Sequence, residues 1–403
     1  MKSGSWASII GVYLFGVCGG STVSKIIPLA GDLTRVFDLS PTEFGWLISF
    51  IALPAALLAI PSGIVVDRYG PRRVLIAAAF CGVIADLIYL FGQSMAVFQA
   101  ARLLEGVAIV HFYTAGPALL MGTTEGRRRT QAMTLWATYM PVGTSTGLLL
   151  GGLFAGSEAW RMSFMVHGSL VAVAGALAFL QPRIDKAAAG PVVGLGARIL
   201  DLRGAYSRPM LLLLGFAFFL MISMGLGANI TFPDYFARVH EITTASASSM
   251  VALTTLAMVP GSILAGVLMS SGRKPHHVFA VLGVIGFIVG SLSFVPGFGI
   301  SVRYLVVTLW FVASGAAIAV LLATLPIVAE PHRRGAAAAL INQAGAVATF
   351  ANPPLWRNIL AGGEWTPFVI LFAVGWSLAI ASLWFAAVFA ARRVGAQSDL
   401  GTA

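Results

Sequence analysis

Apolar runs of about 20 residues, the length of one helical crossing of a bilayer, alternate along the chain with short turns that hold much of its charge. Backbone groups inside a bilayer must find their partners within the segment, so each run is expected to be a helix. The pattern predicts spans over Ser8–Ala30, Phe44–Val66, Val74–Gly92, Val97–Met121, Gln131–Ala155 and Met162–Leu180. Residues 182–209 then break the rhythm. They carry Arg183, Lys186, Arg198, Arg203 and Arg208 among glycines and read as a cytoplasmic linker, with an interfacial helix near Leu195 to Leu202. The second half resumes with spans over Met210–Phe232, Ser246–Ser270, Val278–Pro296, Tyr304–Val328, Ala336–Leu360 and Pro367–Ala391. The expected organisation is therefore an all-α membrane protein: a six-helix bundle over 1–181, the linker, a second bundle over 210–391, and a cytoplasmic tail over 392–403.

Composition strengthens this picture. The chain has 403 residues, of which 58% are hydrophobic and 10% charged, with a mean hydropathy of +0.89. That much apolar surface suits a polytopic membrane protein. The net charge of +10 does not point to nucleic acid, because the basic residues cluster in turns such as Arg127-Arg128-Arg129, Arg273-Lys274, Arg333-Arg334 and Arg392-Arg393. Positive turns stay on the cytoplasmic side, which is expected to hold both chain ends. The run beginning near Trp6 is expected to be a first span, not a removed signal peptide. Cys18 and Cys81 lie inside apolar runs and suggest neither a disulfide framework nor a metal site. There is no Walker-type phosphate loop and no His/Cys ligand cluster, so neither enzyme chemistry nor a cofactor is expected, and energy should come from a gradient.

The densest charge lies in Gly63-Ile64-Val65-Val66-Asp67-Arg68-Tyr69-Gly70-Pro71-Arg72-Arg73. This stretch resembles the Gly-x-x-x-Asp-Arg-x-Gly-Arg-Arg turn between helices two and three of the major facilitator superfamily, with Pro71 in the first basic slot. The resemblance covers nearly the whole chain. It implies twelve transmembrane helices in two pseudo-symmetric six-helix bundles, a small-molecule substrate, a bacterial inner membrane, a monomer, and alternating access to a central site. It also implies that Gly63, Asp67, Arg68, Gly70, Arg72 and Arg73 latch the cytoplasmic face. An internal repeat agrees: Pro233 and Gly266 echo Pro28 and Gly63, although Ser270 and Ser271 replace Asp67 and Arg68.

Ionisable groups inside a membrane are costly, so each is a functional candidate. Arg102 and Glu105 fall about 60° apart on one helix face. They form either a structural ion pair or, as their resemblance to the superfamily's Arg-x-x-(Gln/Glu)-Gly pattern implies, a proton-coupling pair. Asp86 is a third proton-coupling candidate; otherwise it is a hydrogen-bonded acid near the outer side, in a span the superfamily keeps mostly outside its cavity. Lys25 either snorkels to the outer interface or charges the cavity and favours anions. Ser24-Lys25-Ile26-Ile27-Pro28, Asn342-Gln343-Ala344-Gly345 and Asn352-Pro353-Pro354 resemble elements of cyanate-permease-like members, with Asn352 in place of Gly. Thr22, His111, Tyr113, Trp136, Tyr139, Asn229, Asn342 and Gln343 complete the substrate-binding candidates. For His111, Trp136 and Tyr139 plain packing is the other reading, and Asp234 reads as a solvated loop residue. Gly143, Gly147, Gly151 and Gly152 match the spacing of the antiporter glycine motif, but Leu148 stands where that motif has Pro; helix packing alone explains the stripe.

A carrier of a small organic anion is the leading expectation. A proton-driven drug or metallophore exporter is the alternative, and a transporter-like receptor that moves nothing is a third.

Overall fold

The computed structural model describes residues 1–183, 206–329 and 334–400, with positions 196, 203 and 204 between them. The expected interfacial helix near 195–202 lies almost wholly outside the described residues. All regular structure among the described residues is helical, as the apolar runs require. The helices are α1 (Trp6–Ser24), α2 (Ala30–Phe37), α3 (Pro41–Ser49), α4 (Ala52–Tyr69), α5 (Pro71–Phe91), α6 (Met95–Thr123), α7 (Gly126–Trp136), α8 (Tyr139–Phe154) and α9 (Met162–Phe179). They continue as α10 (Pro209–Val239), α11 (Thr244–Leu256), α12 (Met258–Ser270), α13 (Pro275–Leu292), α14 (Ile300–Val328), α15 (Arg334–Ala361) and α16 (Thr366–Leu400).

Ten helical stretches among the described residues are long and apolar enough to cross a membrane. Two expected spans fall outside that set for visible reasons. Residues 131–155 are divided between α7 and the 16-residue α8. Helix α15 is long enough at 28 residues, but Asn342, Gln343, Asn352 and Arg357 make it more polar.

Prolines explain where several spans break. A proline has no N–H to donate, and its ring collides with the carbonyl four residues earlier. Pro28 lies four residues after the end of α1 at Ser24. Pro54 lies four after Phe50, the gap between α3 and α4. Pro141 lies four after Ala137, between α7 and α8, and Pro260 lies four after Leu256, the last residue of α11. The first span is therefore shorter than expected, and Lys25 is its C-cap. The last helix is longer than expected and runs past Ala391 to Leu400.

The charged turn takes a conformation its sequence anticipates. Gly70 ends α4 with φ +84° and ψ 144°, a region that residues with a Cβ avoid. Pro71 then opens α5 at its first position, where no N–H is needed.

The chain forms two compact units. The first holds Met1–Leu195, Asn229–Thr255 and Phe350–Asn358; the second holds Gly196–Ala228, Leu256–Thr349 and Ile359–Ala403. In the first unit α1 packs on α8, α6 and α9, while α5 packs between α6 and α9. Its core includes Phe15, Phe112, Leu119 and Val171. Part of the seam between α1 and α8 is glycine on glycine. A methyl group on Gly143 would lie 2.6 Å from the Val17 carbonyl oxygen and 2.7 Å from the Gly20 Cα. One on Gly151 would lie 3.0 Å from Pro28 Cδ. Small residues thus bring the α1 and α8 backbones together where lipid supplies no hydrophobic drive. In the second unit α14 packs on α12 and α13, and α16 on α13, around the fully buried Trp310 and Trp376.

Candidate functional site

The first unit encloses a cluster of charge that no single span announces. Lys25 is 0% exposed, Arg102 0%, Glu105 1%, His167 1% and Asp86 3%. They come from α1's cap, α6, α9 and α5. The proline break after Ser24 ends the helix at Lys25 and sends its side chain inward rather than out to water.

The Lys25 ammonium touches both acids. It donates to Asp86 Oδ1, and its Nζ lies 2.6 Å from Glu105 Oε1. The second contact is an ion contact without hydrogen-bond alignment, since Glu105 Oε1 accepts no directed bond. Glu105 Oε2 accepts from Arg102 Nη1 at 2.7 Å and from the Tyr89 hydroxyl at 2.8 Å. Arg102 Nη1 also donates to the Thr22 carbonyl at 2.8 Å. Aromatic faces complete the enclosure, with Lys25 Nζ 5.3 Å from the Tyr89 ring centre and 5.5 Å from that of Phe164. A cation over a desolvated ring gains further electrostatic support.

Two cations face two carboxylates here, so the cluster is neutral when His167 is neutral. Its members tolerate burial only through one another, because an isolated buried charge is very costly. This geometry corrects one expectation: Lys25 does not snorkel, because its ammonium is sealed inside. Asp86 is a hydrogen-bonded acid, and its partners are Lys25 and His167. The Arg102–Glu105 pairing expected from their spacing is present.

His167 is the member that sequence reasoning missed. Its Nδ1 lies 2.7 Å from Asp86 Oδ2 and 3.0 Å from Lys25 Nζ; its Nε2 lies 3.0 Å from Ser21 Oγ and 3.2 Å from Thr22 Oγ1. The available signal was a lone histidine in an apolar helix, the same signal that singled out His111. Tyr89 was missed as well, since a tyrosine near a span end reads as an interface anchor.

The other candidates are placed separately. Thr22 joins the cluster through its carbonyl and hydroxyl. Tyr113, Trp136 and Tyr139 form an aromatic group with ring centres 4.8 and 5.0 Å apart. They fill notches left by glycines: a methyl on Gly19 would meet Tyr113 Cε1 at 2.6 Å, and one on Gly16 would meet Tyr139 Cβ at 2.6 Å. His111 bonds the Val107 carbonyl of its own helix at 2.7 Å. Asn229 accepts from Thr255 Oγ1 at 3.0 Å. In the second unit the Tyr206 hydroxyl donates to Gln343 Oε1, while the Asn342 side chain is exposed. Asp234 is not a solvated loop residue: it lies within α10 and accepts from Arg357 Nη1 at 2.9 Å.

Around the charged turn, Gly63 lies within α4, and Asp67 and Arg68 occupy its last turn. The Arg68 guanidinium lies 5.4 Å from the Tyr69 ring centre. Arg72 caps the end of α9: its Nε donates to the Ala178 carbonyl at 3.1 Å and its Nη2 to that of Phe179. A cation there meets carbonyls that the helix cannot satisfy itself. Arg73 is exposed.

Among the described residues, helices long and apolar enough to cross a membrane surround a buried cluster of charge, an arrangement that suits a membrane carrier. The family model described as the Major Facilitator Superfamily matches residues 9–353, and the chain belongs to that superfamily. The structure is similar to the inward-facing, unoccupied crystal structure of a bacterial homologue of the human lysosomal transporter Spinster, with a TM-score of 0.73 at 17% identity over 95% of each chain. Among curated relatives, the drug efflux pump JefA of Mycobacterium tuberculosis is 26% identical over 35% of this chain and 28% of its own length. A probable sugar efflux transporter of Mannheimia succiniciproducens is 24% identical over 60% of each. The cephamycin export protein CmcT of Amycolatopsis lactamdurans is 31% identical over 45% of this chain and 37% of its own length. The matched segments thus span less than two thirds of these relatives.

Proposed function

We propose that this superfamily transporter is a proton-coupled exporter of a small solute, and that the buried cluster is where the coupling proton binds. The carrying observation is the Lys25 ammonium, fully buried between Asp86 and Glu105. Ionisable groups held at membrane depth mark proton and ion pathways. Protonating either carboxylate changes the balance on Lys25 and so gives proton binding a structural consequence. Export is supported by the efflux functions named for JefA and the sugar transporter relative.

An organic anion as substrate is the second reading. Its support shifts from Lys25, whose charge is already matched, to Arg102. Arg102 Nε and Nη2 are buried donors without an acceptor, and a carboxylate or phosphate oxygen would satisfy them. The turn from Gly63 to Arg73 is assigned the conformational latch, supported by its rigid Gly70–Pro71 corner. The setting is a bacterial inner membrane, with a monomer and both chain ends in the cytoplasm; the basic turns support that orientation.

The test begins with a thermal-shift screen of purified protein against metabolites and antibiotics, since a bound ligand stabilises the folded state. Hits are then assayed in proteoliposomes under an imposed pH gradient. Uphill flux that follows the gradient and is lost in Glu105→Gln is expected. Flux in the unaltered protein that follows only the solute's own gradient overturns the proton coupling. Gradient-driven flux restricted to cations would sink the anion reading.

A further inference from the structure

We propose that His167 is the group that takes up the coupling proton, and that it does so by exchanging one partner for another at a single ring nitrogen. The inference rests on the proton-coupled reading above and adds the identity of the proton carrier.

The argument is one of donors and acceptors. On the Nε2 side, both nearby hydroxyls already spend their protons on the Cys18 carbonyl: Ser21 Oγ donates to it at 2.9 Å and Thr22 Oγ1 at 2.7 Å. What they turn toward Nε2 is lone pairs, and the Cys18 carbonyl itself lies 3.4 Å away. With both hydroxyls bonded in this way, the atoms close to Nε2 offer it acceptors, an arrangement that favours a proton on that nitrogen.

The Nδ1 side is two-faced. Asp86 Oδ2, 2.7 Å away, accepts. Lys25 Nζ, 3.0 Å away, donates. A bare Nδ1 accepts the Lys25 hydrogen but turns its lone pair to Asp86. A protonated Nδ1 makes a charge-assisted bond to Asp86 and releases Lys25. Each state satisfies one neighbour and opposes the other, so one proton switches the bonding.

The surrounding charges make the switch consequential. Of the titratable or charged side chains in the cluster, Lys25 at the cap of α1 and Asp86 from α5 touch the ring, and Glu105 and Arg102 from α6 and Tyr89 from α5 stand behind them, joined through Glu105 to Lys25. With Nδ1 bare the cluster is neutral; with Nδ1 protonated it carries one excess positive charge. Lys25 then keeps its contacts with Asp86 Oδ1 and Glu105 Oε1 but loses its third partner. Because Lys25 caps α1, that loss is delivered to the end of a helix whose neighbouring Ser24 Oγ is tied to the Thr144 carbonyl of α8 at 2.9 Å.

The ring can be read without knowing the substrate. Protein labelled with 15N-histidine is studied in nanodiscs by imidazole nitrogen NMR, and the His167 signals are assigned by their loss in His167→Gln. The expected result is an Nε2 that stays protonated throughout while Nδ1 gains a proton as the pH falls. In Asp86→Asn the charge-assisted partner of that proton is gone, so Nδ1 should resist protonation while Nε2 is unchanged. An Nδ1 that holds its proton throughout, or a bare Nε2, overturns the proposal.

Flux separates this failure from that of the parent reading. With a screening hit as probe, proteoliposomes of unaltered protein that show no gradient-driven flux refute proton coupling itself. Gradient-driven flux that persists undiminished in both His167→Gln and His167→Asn refutes His167 alone. Loss of coupling in those variants, with downhill counterflow of the same probe retained, is the result expected.

Discussion

Replacing Lys25 by methionine leaves a side chain of similar length and removes the one cation that touches both Asp86 and Glu105. Breaking a buried ion pair from one side costs about 3–5 kcal/mol, because the remaining charge is stranded. Here the loss should fall toward the lower end. Asp86 keeps His167, and Glu105 keeps Arg102 and the Tyr89 hydroxyl. Lys25→Met leaves the cluster one negative charge in excess, Asp86→Asn one positive, and the double variant neither. Each single change is expected to cost about 3 kcal/mol and the double distinctly less than their sum, with a coupling of about 2 kcal/mol, within the range for residues in one network. Unfolding in mixed micelles titrated with SDS and followed by tryptophan fluorescence gives the four stabilities. Effects that add to within about 0.5 kcal/mol would show that the two residues do not share the bond described, and the account of the cluster would fall.

Gly143→Val should cost about 1–3 kcal/mol through overpacking against the Val17 carbonyl and Gly20, whereas Gly266→Ala, with open space around it, should change the melting temperature little. Both are read from the thermal profile of a fluorescent fusion. Arg72→Ala should speed amide exchange at the end of α9, by freeing the Ala178 and Phe179 carbonyls, without altering exchange at the end of α8; Arg72→Lys should restore part of the protection. Trp376→Ala, in a site with no exposure, should cost about 3–5 kcal/mol through the cavity it leaves, and the detergent stability of the purified protein would register it.

Much of this fold could be read from apolar run length, because a bilayer fixes both the length and the hydrogen bonding of what crosses it. The breaks could have been read too. Pro28 and Pro260 stand four residues beyond a helix end, and Pro54 and Pro141 five, but run length alone hides an interruption that stays apolar. The site was legible only where its members share a helix. Arg102 and Glu105 are three residues apart, and helical geometry pairs them. Lys25, Asp86 and His167 lie on three different helices, and no spacing rule links them. Asp86 sits on a span that the superfamily resemblance places mostly outside the cavity, which made it look peripheral, and His167 carries no local mark that distinguishes it from His111. Asp234 was misjudged because Pro233 looks like a stop, yet α10 carries on through it to Val239.

The glycine seam between α1 and α8 carries a mechanical consequence. Two rods whose main chains touch, with almost no side chain between them to yield, cannot slide or splay; they behave as a single stave. A cysteine tether across that joint should therefore leave the working cycle untouched, whereas the same tether between staves would stall it. Lys25 rides on the end of this stave, so any force that tilts α8 is felt at the ammonium.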